Sequence, residues 1–437
     1  MENVLPIDSS VIRKHCHDLG ITTLAHATIR QIVQLANLLQ EDFGINFIRT
    51  EMGVPGLPAS SIGVEAEIEA LEHGVASIYP PIEGIHALKT ELSRFVRFFL
   101  DVSISPAGCI PTVGSMQSSM LMFLVGNRRE AQKDTTLFID PGFPVQKRQV
   151  AVLGMNYESF DIYDFRGKKL KDKIKSYLDK GNISTFLYSN PNNPAWICFT
   201  DDELKVIGEL ANEYGVIVME DLAYFGMDFR HDFGKPGEPP YQATVAHYTD
   251  NYALLFSSSK VFSYAGQRIG ALMLSDKLYH AEYPDLLRVF NTARFGQAIL
   301  QDAIYTASAG TAHSAQAGLA AMLRAVNDGD FDFLKVVREY GERAAVMKRL
   351  FLENGFQLVY DRDDDQELAD GFYFTISYPG MSGEVLLGEL LRYGISAITL
   401  DTTGSTRTEG LRICVSQTSS ERYSDLEERL KLFKALH

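Results

Sequence analysis

The chain has 437 residues, 46% of them hydrophobic, with 41 Lys plus Arg against 56 Asp plus Glu and a formal net charge of −15. That length and apolar content suffice for a large core, divided over two or three domains or carried by one large α/β domain with a smaller one attached. The acidic balance argues against nucleic acid and against an anionic membrane surface as the main partner.

The first 20 residues have no cationic stretch followed by a long apolar run, and no segment reaches about 18 uncharged apolar residues, so a cytoplasmic protein with no membrane partner is expected. Cys16, Cys109, Cys198 and Cys414 are scattered with no CxxC pair, which indicates neither a zinc site nor a disulfide framework.

In chain order, residues 21–43 carry apolar side chains at near-helical spacing and predict one amphipathic helix. Residues 48–60 hold Gly53, Pro55, Gly56 and Pro58 and read as a loop joining two bodies. A helical pattern follows from Gly63, a turn-rich stretch at 77–84 contains Tyr79, and a third helix keeps Ile85, Leu88, Leu92, Phe95, Val96 and Phe99 on one face. Gly114 and Ser115 then precede an apolar helical run, placing free backbone N–H groups and the positive end of a helix dipole where a phosphate could sit; glycine before a helix is also a common turn. Neither a GxxxxGK[ST] nor a GxGxxG occurs, which disfavours a nucleoside triphosphate or a dinucleotide.

From residue 136 the pattern is strand, turn, helix, strand. One apolar strand ends on Pro141, Gly142 and Phe143, the next on Asn190 to Pro194, and a third on Glu220, Asp221 and Tyr224. Thr200 and Glu203 form a capping box on a helix that stops at Gly215. A fourth strand, Ala253 to Phe256, breaks into three serines and Lys260, followed by Arg268 and Gly270. Buried parallel strands deliver such residues to one edge of one sheet, where ligands collect in open α/β folds.

A lysine held there is a candidate Schiff-base former, and the hydroxyl of Ser257 with the fork of Arg268 suits a phosphate; together they suggest pyridoxal 5'-phosphate. Taken alone, Lys260 also fits a Ser-rich surface loop. The cofactor needs a buried carboxylate beside its pyridine nitrogen, for which Asp221 serves, donors for its ring oxygen, for which Tyr224 and Asn193 are the right types, and an aromatic neighbour such as Phe143. Arg412, in a β-like run, could grip an α-carboxylate. Each of these residues also has an ordinary structural reading: a strand end, core packing or a surface arginine.

The motifs PNNPAW, MEDLAY, SSSKVFSYAGQRIG and GLRICVS, in this order, resemble the fold-type-I pyridoxal-phosphate enzymes of the class I/II aminotransferase superfamily, which includes the aspartate, aromatic and alanine aminotransferases. The resemblance implies that Lys260 is the Schiff-base lysine and proton shuttle, that Asp221 pairs with the pyridine nitrogen, that Tyr224 and Asn193 bond the ring oxygen, and that Phe143 stacks on the ring. Gly114, the N–H groups of Ser115 and Met116, Ser257 and Arg268 would hold the phosphate. Arg412 would bind the substrate carboxylate with help from Asn193 and the backbone at Gly53, and Tyr79 would reach the other subunit's phosphate in a homodimer with shared sites.

The expected architecture is α/β: a three-layer α/β/α large domain with a mainly parallel sheet over 61–325, and a smaller α+β domain built from 326–437 and part of the arm 1–60. The expected reaction moves an amino group between an α-amino acid and a 2-oxo acid. A β-lyase or decarboxylase on the same fold shares every cofactor contact, and an aminotransferase-like effector-binding regulator would need a basic DNA-binding module that the first 60 residues lack.

Several features depart from the family pattern. Ala195-Trp196 stand where Thr-Gly usually follows the PxNP proline, and Trp196 is expected to add apolar surface for the substrate along with Met116 and Phe143. Residues 230–248 read as a loop insertion on the surface. Arg288 and Arg294 are candidates for a contribution from the partner subunit.

Overall fold

The computed structural model describes residues 5–437. Its main sheet has seven strands: β1 Cys109–Thr112, β2 Thr135–Asp140, β3 Asn156–Asp161, β4 Ile183–Ser189, β5 Ile217–Leu222, β6 Tyr252–Ser257 and β7 Gly270–Leu274. They lie in the order β1-β7-β6-β5-β4-β2-β3. Every pair from β6 to β3 is parallel, and β7 alone runs against its neighbours β6 and β1. The mainly parallel sheet expected from the βαβ pattern is the one observed.

Alternation along each strand decides which layer a residue joins. On β6, Leu254 and Phe256 enter one apolar cluster and Ala253 and Leu255 the other, so both faces are covered and the strand reads as a continuous apolar run. The side chain of Phe256 packs edge-on against Phe95 of the helix His86–Leu100, with ring centroids 5.2 Å apart. Burial of each such side chain contributes about 1.5–3 kcal/mol, which anchors the strand that carries Lys260 at its end.

A second sheet is antiparallel: β8 Gln357–Leu358, β9 Tyr373–Ser377, β10 Ile398–Thr399 and β11 Leu411–Cys414, in the order β10-β11-β9-β8. The arm is tied to this body, since Ile48–Arg49 pairs in parallel with Ile395–Ser396. The run GISAITL is therefore two short strands in two different sheets.

Two expectations are corrected. The helix predicted for 21–43 is Ile29–Phe43, because Thr28 and Gln31 form a capping box that starts it there, while Leu24–His26 is a separate 3-10 turn. The 230–248 stretch is irregular; its first half lies at the surface as expected, but its second half does not. Gln242 bridges the Gly226 N–H and the Asn190 carbonyl, and Thr244 donates to the buried Glu220 carboxylate, so its second half threads beneath the strand ends.

A short hairpin, Arg362–Asp363 against Gln366–Glu367, clamps the second body to the first. The buried Asp363 carboxylate accepts from Arg166 (2.9 Å) and Arg230 (2.7 Å) and from the Cys198 backbone N–H (3.1 Å). Removing a buried carboxylate leaves its cations uncompensated, and here each arginine keeps a second acid, Glu203 or Asp228. Asp363→Ala should therefore lower unfolding stability by about 3 kcal/mol, the low end for a broken buried pair. A urea unfolding midpoint unchanged from the parent protein would contradict that clamp.

Candidate active site

Five strands end at one cleft, and the chain turns there in ways the local sequence explains. After β6 the Ser257 hydroxyl caps the short helix Ser258–Val261 by accepting the Ser259 N–H (3.2 Å), which leaves its own proton free and turns Lys260 into the cleft. After β1 the helix Gly114–Gly126 begins with Gly114 at φ +66°, a conformation that costs a glycine little. A Cβ there would lie 2.7 Å from Arg268 Nη2, and a Cβ at Gly270 would lie 3.0 Å from the Ser115 nitrogen. Glycines at these two positions let the guanidinium, the helix start and β7 crowd together, a cradle of donors suited to a phosphate.

Asp221 sits at the cleft wall, 6% exposed, with Oδ2 accepting from Gln146 Nε2 (2.7 Å) and Oδ1 from the Ala223 N–H (3.1 Å). Burial pushes its pKa up to about 6, against those two hydrogen bonds, and no cation among the described residues offsets it. A buried carboxylate without a counter-charge fits a cationic ligand group such as a protonated pyridine nitrogen. Lys260 has the opposite problem. Burial lowers its pKa to about 8, the positive charges of Arg412 and Arg268 push the same way, and the nearby Cys414 opposes them. Its amine donates to the Gly53 carbonyl.

Arg412, on β11, is 1% exposed. Its Nη1 donates to Asn193 Oδ1 (3.3 Å) and its Nη2 to the Glu51 carbonyl, while its Nε is buried with no partner. Asn193 in turn donates to the Tyr224 hydroxyl at 3.3 Å. Arginine can only donate, so the amide oxygen of Asn193 must face it, and this fixes the amide nitrogen toward Tyr224.

The structure brings Gly53, Ser115, Met116, Phe143, Asn193, Asp221, Tyr224, Ser257, Lys260, Arg268 and Arg412 together around a cavity of about 290 Å³, with Gly114 adjoining. Tyr79 lies elsewhere, 90% exposed, beside Pro80 and His313. Arg288 and Arg294 are surface residues paired with Asp285 and Glu282 and do not line the cavity.

Trp196 is a correction. It does not offer surface to the cleft; it is fully buried behind it, edge-on to Tyr224 (5.4 Å) and Tyr373 (6.1 Å). Its backbone has φ +60°, and Gly371 makes room for the ring, since a Cβ there would lie 1.9 Å from an indole carbon.

Gln146 and Tyr373 are among the cleft residues that escaped the sequence reading. Gln146 stands one helical turn after Phe143, at the head of the helix Pro144–Val152, and that spacing could have flagged it. Tyr373 lies on β9, whose Thr375 pairs with Arg412; period-2 alternation puts Tyr373 on the same face, but only once the register is known. Among the described residues, no group of three or more His, Cys, Asp or Glu side chains could hold a metal ion, all four cysteines are unpaired, and no helix is long and apolar enough to cross a membrane.

Comparison with known proteins agrees with this geometry. A Methanocaldococcus jannaschii protein named “Probable aspartate aminotransferase” is 25% identical over 264 residues, 58% of this chain and 61% of that protein. The Bacillus subtilis protein YugH, named as an aminotransferase, is 24% identical over 382 residues, 84% of this chain and 86% of that one. The fold is shared with the alanine aminotransferase of Pyrococcus furiosus, at a TM-score of 0.75 and 18% identity over 96% of this chain and 99% of that chain. The profile of the family described as aminotransferase class I and II matches residues 40–430, and with nearly the whole length covered the chain belongs to that family.

Proposed function

We propose that this protein is a pyridoxal 5'-phosphate-dependent aminotransferase that moves an amino group between an α-amino acid and a 2-oxo acid. The observation that carries the reading is one cleft holding a buried amine of lowered pKa, a buried carboxylate lacking a counter-charge and a buried arginine with an unpartnered Nε. When bound, the cofactor supplies a carbonyl for the amino group and a protonated pyridine ring that draws electrons away from the substrate carbon. The remaining chemistry belongs to the chain.

Asp221 would keep the ring nitrogen protonated, with Gln146 and the Ala223 N–H holding the carboxylate oriented. Phe143 would pack against the ring, Tyr224 and Asn193 would serve the ring oxygen, and Ser115, Met116, Ser257 and Arg268 would hold the phosphate. Arg412, with its unpartnered Nε, would hold the substrate carboxylate. Lys260 Nζ, buried in the same cleft with a lowered pKa, would be the group that takes and returns a proton at the substrate α-carbon. A lysine that is half neutral near pH 8 suits that work better than one with an ordinary pKa.

Apolar side chains of Ile29, Met52, Val54, Met116 and Phe143 line the cleft, and the four charged lining residues all have the roles given above. The reading therefore favours amino acids with apolar side chains over dicarboxylic ones. It also includes a homodimer in which the exposed Tyr79 reaches the other subunit's phosphate, and a chain divided into an arm at 1–60, a cofactor body at 61–325 and a smaller body at 326–437.

Lys260 reacts as the neutral amine, which prevails above its folded-state pKa. The rate at which the cofactor-free chain combines with pyridoxal 5'-phosphate, followed by absorbance, should rise with pH and level off just above pH 8. A midpoint near 10 would mean an ordinary, solvated lysine.

A panel of amino acids added singly to the yellow holoenzyme should convert its absorbance to that of the amine form, most readily with apolar side chains. Arg412→Leu should cost about 2 to 5 kcal/mol in kcat/KM, as for removal of one partner of a buried charged pair. No conversion by any amino acid, with release of pyruvate from cysteine-like or serine-like substrates instead, would replace this reading with the lyase.

A further inference from the structure

We propose that Tyr373 is a positioning residue that points the Tyr224 hydroxyl proton at the ring oxygen of the cofactor. The proposal rests on the reading of this cleft as a pyridoxal-phosphate site. Its physical basis is the count of donors and acceptors around Tyr224. A phenol oxygen has one proton and two acceptor lone pairs. At Tyr224 one lone pair takes the Asn193 Nδ2–H at 3.3 Å, and the amide is held in that orientation by Arg412 on its oxygen. The Tyr373 hydroxyl lies 2.8 Å from the same oxygen.

Which of the two tyrosines donates follows from their surroundings. The Tyr373 hydroxyl is buried against the backbone of Gly53, where a Cβ would lie 1.9 Å from it, and its one hydrogen-bond partner among the described residues is Tyr224. If Tyr224 donated to Tyr373, the proton of Tyr373 would have no acceptor, and a buried unmade hydrogen bond costs about 1–3 kcal/mol. If Tyr373 donates, both lone pairs of Tyr224 are filled and its proton is left for the third direction, into the cleft, where an ionised ring oxygen is the missing acceptor.

The tyrosine itself is held in place. Its ring lies 4.6 Å from the Arg412 guanidinium carbon, and Trp196 backs both tyrosines. Thus β9 and β11 position the hydroxyl of a residue that follows β5. The charged or titratable groups facing the pair are Arg412 and Cys414 from β11, and Lys260, from the turn after β6, lines the same cleft. A Tyr373→Phe change leaves all of them in place and keeps the ring over Arg412.

The test is a pH titration of the visible absorbance of holoenzyme loaded with pyridoxal 5'-phosphate. A hydrogen bond donated to the ionised ring oxygen favours the ionised form and lowers the chromophore's apparent pKa, so losing it must raise that pKa. Tyr373→Phe removes the donor that polarises the Tyr224 O–H but not that O–H itself, so it should raise the pKa by a fraction of a unit, less than the roughly half to one unit that one whole hydrogen bond is worth. Tyr224→Phe should raise it further, and the double variant should match Tyr224→Phe alone. A Tyr373→Phe titration that coincides with the parent's while Tyr224→Phe shifts it would overturn the proposal and leave the cofactor reading intact. Additive shifts in the double variant would also overturn it, because Tyr373 would then act independently of Tyr224. If Tyr224→Phe shifts nothing, the assignment of Tyr224 to the ring oxygen fails, and the role of Tyr373 fails with it.

Discussion

Two-sided burial of the parallel strands is the constraint on which the rest depends. A strand covered on both faces can present polar chemistry to a ligand only where it ends, so β1, β2, β4, β5 and β6 all release their functional residues at one edge. The two acids of β5 illustrate this. Glu220 points into the protein, where burial raises its pKa to about 7 and Thr244 and the Val245 N–H satisfy one oxygen. Asp221, one residue on, points the other way, to the cleft. Adjacent carboxylates thus receive opposite fates from strand alternation alone.

The second body completes the site. Arg412 crosses from β11 to Asn193 on the loop after β4 and to the Glu51 carbonyl of the arm, so one side chain joins three segments distant in sequence. The arm is held on this body by its pairing with Ile395–Ser396 and by the Ser396 hydroxyl on Glu51 (2.6 Å). The Asp363 hairpin grips the far side of the turn that presents Asn193, through the Cys198 N–H. The contacts of Arg412 and the packing of the two bodies are consequently one network, and loosening the hairpin should be felt at Arg412.

Much of the cleft was legible in the sequence, because its residues sit at strand ends marked by abrupt changes from apolar to polar or glycine. Lys260 after the Ala253–Phe256 run and Asp221 after Val216–Met219 are of this kind. The mainly parallel sheet was legible too, from alternating strand and helix periods with a capping box at Thr200. What escaped depends on pairing across long sequence separations. Tyr373 meets Tyr224 across 149 residues, and nothing local distinguishes it from Phe372 or Phe374. Trp196 looked like a substrate wall because an exposed-looking turn carries it, yet Gly371 opens a slot that draws the indole inward. The 230–248 stretch looked like a surface loop from its Gly and Pro content, whereas Gln242 and Thr244 satisfy buried groups that no composition reveals.

The central claim is that these strand ends converge to present one reactive lysine to a carbonyl cofactor. Borohydride reduction of the holoenzyme, followed by digestion and mass mapping, tests it most directly. One pyridoxyl group per chain is expected, on Lys260 alone, and none on a Lys260→Ala protein. Label on a different lysine, or label retained by Lys260→Ala, would contradict it.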